Sequence, residues 1–425
     1  MSVPPIHLND WREHFLSRGP RMSAEAFLLK LSAFSTTEQR ASLCGLPDTK
    51  SLIQRFENAW ELREHSLGGV PFLTKDLFFR TGHPTLAGST FLNEEIGNAR
   101  HTSSLPLAFQ NDAGAVECGR TQLNEFAYGL SGENPHFGDC PHPTHPHLLS
   151  GGSSSGSAFA VARGLVPFAL ATDTAGSIRV PCGYCGVWGL RLTPELNIVG
   201  DTFPLSPGYD TQGWLARTAT DLISVSQAVL GNSAPSNRGL WVGDLGANVP
   251  EKILQQIQAI AFQAGAQMDT AAADLLRLSC VEAAAAFPVL GGSAAARVHS
   301  AWHQRRKHDY DPIVWSRLEQ GRLRTADEVR EAENTRLKIQ DAFRTVFQHY
   351  DFIAMPCTAG PAVDKVSLTP AHRHQLLALN APASLAGLPA IVAPVTLDSG
   401  LTAGVQFIFP DMQRFGWQPV LERLR

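Results

Sequence analysis

Gly151-Gly152-Ser153-Ser154-Ser155-Gly156-Ser157-Ala158 and Asp173-Thr174-Ala175-Gly176-Ser177-Ile178-Arg179 are the two stretches on which the reading of this 425-residue chain turns. Between them, Ala158 to Gly164 is small and apolar, as a buried helix is. Leu165 to Thr172 is a short apolar run of the kind found in central strands. Upstream, a strand-like run from Gly69 to Leu73 leads into Lys75 and Asp76. Both serine stretches are therefore turns set against buried elements, with a lysine ahead of them.

Working outward, Ser23 to Leu31 and Ser51 to Glu57 carry apolar residues at helical spacing. Leu105 to Gln110 reads as a helix before the turn Asp112 to Ala115, and Val116 to Gly119 as a short strand. Pro135 to Pro146 is rich in proline and histidine and reads as loop. Thr218 to Leu230 reads as an amphipathic helix, and residues 251–300 as Ala-rich and helical. The clearest helix signal is Thr325 to Tyr350. It opens on a T-x-x-E capping box at Thr325 and Glu328, and continues with Ile339, Ala342, Phe343, Val346 and Phe347 at i, i+3, i+4 spacing. Phe352 to Met355 and Ala390 to Val395 read as buried strands. Helices and apolar strands alternate without a linker-like segment, which predicts one α/β domain with a covered sheet.

Composition narrows the classes. Hydrophobic residues make up 44% and charged residues 17%, as in a globular chain with a large core. The formal net charge is −4 and no Lys/Arg run stands out, which argues against a nucleic-acid partner. Met1 to Asn9 has no basic or apolar leader pattern, and no long uncharged apolar stretch follows. The expectation is a soluble, cytoplasmic protein with no membrane partner. Seven scattered cysteines fit free thiols better than a disulfide framework.

The three stretches carry a chemistry. A serine hydroxyl attacks poorly until a base removes its proton. Ser177 could attack while Ser153 relays its proton to a neutral Lys75. Burial lowers a lysine pKa because desolvation penalises the charged form. The backbone N–H groups of Thr174, Ala175, Gly176 and Ser177 could converge on a developing oxyanion, since small residues permit a tight, donor-rich turn.

These residues resemble the amidase signature family. The likeness continues through Thr121 to Gly129, Gly132 to Gly138, Tyr184 to Arg191, Asp210 to Thr218, Asp351 to Thr358 and Ala383 to Pro389. The resemblance implies a fold: a mixed, twisted central sheet covered by helices on both faces. It also implies roles. Ser177 is the nucleophile, Ser153 the relay held by a cis peptide bond, and Lys75 the base. Beside these three, Ser154, Asp173 and Arg179 are candidate supporting residues. No cofactor and no metal are implied. Ala175 departs from the family, in which many members have glycine; it fits if φ is negative there.

The chain is expected to be one domain over 1–425. Residues 1–65 are peripheral helices, 66–220 hold the catalytic motifs, 221–350 are a helix-rich substrate side, and 351–425 complete the core. The expected partner is a small-molecule amide, and a homodimer is a compatible assembly. The Y-C-G and D-T-x-G-W segments look most like single-subunit amidases of small amides, indole-acetamide hydrolases among them. Other readings within the family are an allophanate-type hydrolase and the glutaminase A subunit of a tRNA-dependent amidotransferase. A-subunit chains usually carry a longer C-terminal tail than this one, which stops at Arg425. A non-enzyme reading is a catalytically dead amidase-like binding protein; such proteins lose triad residues, and all three are present here.

Rival chemistries are weaker. Gly152 to Gly156 also matches the G-x-S-x-G elbow, which would make Ser154 the nucleophile with His303, His349 or His372. The elbow needs a strand before it, and Pro141 to Pro146 is not one. Cys182 and Cys185 form a C-x-x-C that reads better as buried structural thiols than as a redox pair. His136, His142, His145 and His147 lack a regular metal-ligand frame. Asp210, Arg217 and Arg179 read either as substrate contacts or as structural braces.

Overall fold

The computed structural model describes residues 4–195 and 201–425. Residues 1–3 of the N-terminal segment and 196–200 of the catalytic segment lie outside the described residues.

Among the described residues the organising element is one mixed sheet of eleven strands. The strands are β1 (Leu43–Cys44), β2 (Pro71–Lys75), β3 (Val116–Thr121), β4 (Phe168–Asp173), β5 (Trp188–Arg191), β6 (Thr211–Ala216), β7 (Gly239–Trp241), β8 (Ala266–Met268), β9 (Phe352–Pro356), β10 (Ala390–Thr396) and β11 (Thr402–Ile408). Their order is β1-β3-β2-β4-β6-β5-β10-β11-β9-β7-β8. β2 runs parallel to β3 and β4, whereas β6, β5, β10 and β11 form antiparallel pairs in the middle.

Successive side chains on a strand point to opposite faces, so a sheet covered on both sides reads as a continuous apolar run. β9 shows this directly. Phe352 and Ala354 enter one apolar cluster, with Ile257 and Leu222 from the helices Glu251–Gln263 and Ala219–Leu230. Ile353 and Met355 enter another, with Leu276, Ile339 and Leu376 from the helices Thr270–Cys280, Ala326–Val346 and Pro370–Leu385. The fold is therefore the α/β class expected, with helices on both faces.

The capping box at Thr325 forms: the Thr325 hydroxyl accepts the Glu328 N–H at 3.2 Å and the Glu328 carboxylate accepts the Thr325 N–H at 2.8 Å. Ile339, Ala342, Phe343 and Val346 are buried on one face of that helix, as the spacing predicted.

Other elements differ from expectation. Residues 251–300 are not uniformly helical. Gly265 takes φ +100°, which ends the first helix, and the three-residue strand β8 joins the sheet edge parallel to β7. The Asp269 carboxylate then caps a new helix through the Ala272 N–H at 3.1 Å. The helix read at Leu105 to Gln110 is a short α segment, Ser104–Leu107, followed by a wider turn at Ala108–Asp112. The helix read at Ser23 to Leu31 begins earlier, at Leu8, and bends at Gly19 and Pro20. β2 ends on Lys75 itself, two residues later than expected, and this shift brings the lysine into the sheet.

Candidate active site

Parallel strands bring their carboxyl ends to one edge, and ligands in open α/β sheets bind beyond that edge. β2 and β4 are such a pair, with Phe72, Leu73 and Thr74 opposite Phe168, Ala169 and Leu170. Lys75 ends one strand and Asp173 the other. The serine loop leads into the helix Ser155–Ala162, which packs behind them.

Lys75 is fully buried. Its Nζ donates to Ser153 Oγ at 2.8 Å, Ser154 Oγ at 3.1 Å and Thr172 Oγ1 at 2.8 Å. Three hydroxyls surround the amine, and no carboxylate touches it among the described residues. Burial takes its pKa down to about 7, against weaker upward pulls from Asp173 and Asp210. Thr172, which completes this shell, was not singled out in the sequence. A threonine ending an apolar run reads simply as a strand former.

The Gly152–Ser153 peptide is cis. The Ser154 N–H donates to the Ser177 carbonyl at 3.1 Å, tying the serine loop to the turn after β4. Lys75, Ser153 and Ser177 are thus brought together in one buried region. Ser154 Oγ is committed, accepting from Lys75 and donating to the Thr172 carbonyl at 3.1 Å. That removes it as an elbow nucleophile. Two of the histidines the elbow would use are engaged elsewhere: His303 with Glu319 at 2.9 Å, and His372 with the Tyr184 hydroxyl at 3.2 Å.

The turn Thr174 to Ser177 is held by Asp173. Its carboxylate accepts the N–H groups of Gly176 at 2.9 Å and Ile178 at 3.1 Å, and lies 2.9 Å from Arg179 and 2.8 Å from Arg191. Burial would push the Asp173 pKa up, but Arg179 and Arg191 hold it well below the usual carboxylate range. The hydrogen bond to Gly176 corrects the expected set of four oxyanion donors. The Gly176 N–H is taken by Asp173, while those of Thr174, Ala175 and Ser177 have no intramolecular acceptor among the described residues. Gly176 has φ +120°, and a Cβ there would lie 2.9 Å from Asn380 Cγ, so only glycine fits. Ala175 is absent from the positive-φ residues, which is why alanine is tolerated there.

Arg179 is a brace. Beyond Asp173, it donates to the Asn380 carbonyl, Gln406 Oε1 and Ser384 Oγ, each at 2.9 Å, and it is fully buried. Asp210 accepts the Thr174 hydroxyl at 2.6 Å and the Ser206 N–H at 2.8 Å. Arg217 donates to the Ala162 carbonyl at 2.7 Å, at the end of the serine-loop helix. Arg191 and Asn380 are further supports that the sequence did not mark, since their partners lie on distant strands and helices. Cys182 and Cys185 lie buried in the helix Arg179–Cys185 as free thiols. Among the described residues no three His, Cys, Asp or Glu side chains converge as a metal site, and the four loop histidines do not.

The amidase family model matches residues 48–240 and 237–413, and the chain belongs to that family. It is 32% identical over 371 residues to the 1-carboxybiuret hydrolase subunit AtzE of Pseudomonas sp. (strain ADP), covering 80% of each chain. It is 28% identical over 403 residues to indoleacetamide hydrolase of Pseudomonas syringae pv. syringae, covering 88% of this chain and 89% of that one. A crystal structure of an amidase superposes with a TM-score of 0.80 at 25% identity, over 98% of this chain and 99% of the other. The chain is an amide-hydrolysing enzyme acting on a carbon–nitrogen bond. No single helix among the described residues is long and apolar enough to cross a membrane.

Proposed function

We propose that this chain hydrolyses the amide bond of a small substrate through an acyl-Ser177 intermediate, with Ser153 as relay and Lys75 as base and then acid. The observation that carries the reading is the buried amine of Lys75, held by three hydroxyls and, among the described residues, by no carboxylate. Such an amine is neutral in an appreciable fraction near pH 7 and can take a proton.

In the forward step, neutral Lys75 accepts the Ser153 hydroxyl proton as Ser153 takes the proton of Ser177. Ser177 Oγ bonds to the amide carbon, and the carbonyl electrons move to oxygen. The N–H groups of Thr174, Ala175 and Ser177 receive that oxyanion, and Asp173 holds the turn rigid while they do so. Collapse of the intermediate expels the amine, which receives the proton returning through Ser153 from Lys75. Water then attacks the acyl-Ser177 carbon, giving its proton along the same path. The carboxylic acid leaves and Ser177 is restored.

Residues 1–425 act as one catalytic unit in this reading. The cytoplasm suits its seven free thiols, and a homodimer is a compatible assembly. The test is ammonia release from a panel of primary amides by the wild-type chain and by Ser177→Ala. The variant is expected to fold and to lose at least about a thousandfold in kcat/KM. Near-wild-type turnover would overturn the assignment.

A further inference from the structure

The turn Thr174 to Ser177 is gripped by two carboxylates from two strands. Asp173, the last residue of β4, takes the N–H groups of Gly176 and Ile178, at the far end of the turn. The near end is held by Asp210. β4 and β6 are antiparallel with Asp173 opposite Thr211, so Thr174 and Asp210 are the next residues outward. Asp210 Oδ1 accepts the Thr174 hydroxyl at 2.6 Å.

Asp210 is itself fixed. Its Oδ2 accepts the N–H groups of Leu205 at 3.0 Å and Ser206 at 2.8 Å, and its own N–H returns to the Ser206 carbonyl at 3.1 Å. The Ser206 hydroxyl then donates to the Gly291 carbonyl at 3.0 Å, in the helix Ala283–Val298. A threonine whose hydroxyl is bonded is locked at χ1, which narrows the backbone it sits on. The Thr174 N–H has no intramolecular acceptor among the described residues, so it is free for an oxyanion while its direction is set from β6.

Charge balance points the same way. Arg179 and Arg191 both contact Asp173, so two guanidinium groups meet one carboxylate. That region alone would be net positive and would oppose a proton arriving on Lys75. Asp210 supplies the second negative charge. Among the described residues no cation lies within 4.0 Å of its carboxylate, and Arg191 senses it only from beyond contact distance. Its two oxygens take three donors, as suits an ionised carboxylate, which accepts and does not donate. Asp76, next to Lys75 in the chain, is spent on Arg120 at 2.7 Å. Against the larger effect of burial, the upward pulls on the Lys75 pKa come from Asp173 and Asp210.

We propose that Asp210 is a positioning residue for hydrolysis at Ser177: through the Thr174 hydroxyl it aims the first oxyanion donor, and its carboxylate is the counter-charge for the proton that Lys75 takes up. This rests on the hydrolase reading above and adds to that site a group outside the Ser177, Ser153 and Lys75 set. No bond forms or breaks at Asp210, and the proton keeps to the path from Ser177 through Ser153 to Lys75.

The experiment measures ammonia release from one primary amide, across the pH range of the rising limb, by wild type, Ser177→Ala, Thr174→Val, Thr174→Ser, Asp210→Asn and the Thr174→Val/Asp210→Asn double variant. Thr174→Val keeps the shape and loses the hydroxyl. It is expected to lower kcat at least about tenfold with KM within about twofold, and Thr174→Ser to recover most of the loss. Asp210→Asn is expected to lower kcat by at least as much. It should also move the rising limb of kcat/KM, centred near pH 7 in wild type, to lower pH by at least about 0.5 unit, because the amine is harder to protonate without the negative charge. Thr174→Val should leave the limb in place. The double variant should match Asp210→Asn, since the hydroxyl then has no carboxylate to hold it. A kcat for Asp210→Asn within about twofold of wild type, a loss confined to KM, an unmoved limb, fully additive losses, or no recovery in Thr174→Ser would overturn the proposal. If Asp210→Asn does not fold, Thr174→Val decides: a kcat loss recovered by serine upholds the proposal, and an unchanged kcat overturns it. Turnover remaining in Ser177→Ala would remove the hydrolase reading and the proposal with it, whereas an inactive Ser177→Ala beside an unaffected Asp210→Asn would remove the proposal alone.

Discussion

Lys75→Met removes the amine and keeps most of its stem, and the structure sets what that should do. The lysine pKa drops from 10.5 to about 7 on burial, and at ~1.4 kcal/mol per unit the cost of charging it inside the fold is about 5 kcal/mol. Below pH 7 the amine is charged in both folded and unfolded chains, and the full cost weighs on the folded state. Between pH 7 and the unfolded value, the unfolded chain binds the extra proton, so stability rises with pH. Above both values the cost is gone. The stability difference between Lys75→Met and wild type, from urea midpoints, is therefore expected to favour the variant most below pH 7 and to shrink as pH approaches 10. Turnover moves with the same group. Wild-type kcat/KM should climb about tenfold from pH 5 to 6, reach half its plateau near pH 7, and flatten above pH 8. Lys75→Met should lose that limb with most of the activity, and Lys75→Arg should not restore it, because guanidinium stays charged. A limb centred above pH 9, a limb surviving in Lys75→Met, or a variant whose stability gain does not depend on pH would refute the reasoning.

Ser153→Ala breaks the proposed relay and should lower kcat by at least about a hundredfold, whereas Ser154→Ala should cost much less; ammonia release from a common amide checks the order, and equal losses would count against the relay. Asp173→Asn leaves Arg179 and Arg191 buried without their carboxylate, and should destabilise the fold by about 3–5 kcal/mol, read from chemical denaturation; a loss under about 1 kcal/mol would mean that the brace is not structural. Gly176→Ala places a Cβ against Asn380 at a φ that disfavours it, and should lower kcat with little change in KM; a loss confined to KM would show that the turn serves binding rather than the oxyanion.

What the sequence disclosed follows from how local each signal is. Ser153 and Ser177 lie in contiguous turns, and Lys75 ends a strand whose apolar residues are adjacent to it, so short windows suffice. Thr172 was hidden because its role depends on β2 lying beside β4. Arg191 stands in a recognisable segment, yet its pairing with Asp173 exists only because β6 alone separates β5 from β4. β7 and β8 are three residues each, too short for a period to register, and the alanines near β8 favour helix until Gly265 breaks it. The helix Pro370–Leu385 begins with a proline and contains another at Pro382, which obscured it despite the cap at Thr369.

The central claim is that Ser177 carries the acyl group, and covalent trapping tests it most directly. Active protein treated with a sulfonyl fluoride or fluorophosphonate should lose activity in step with a single adduct, and peptide mass spectrometry should place that adduct on Ser177. Ser177→Ala should take up no label. An adduct on Ser154, or an active preparation in which no serine reacts, would contradict the account.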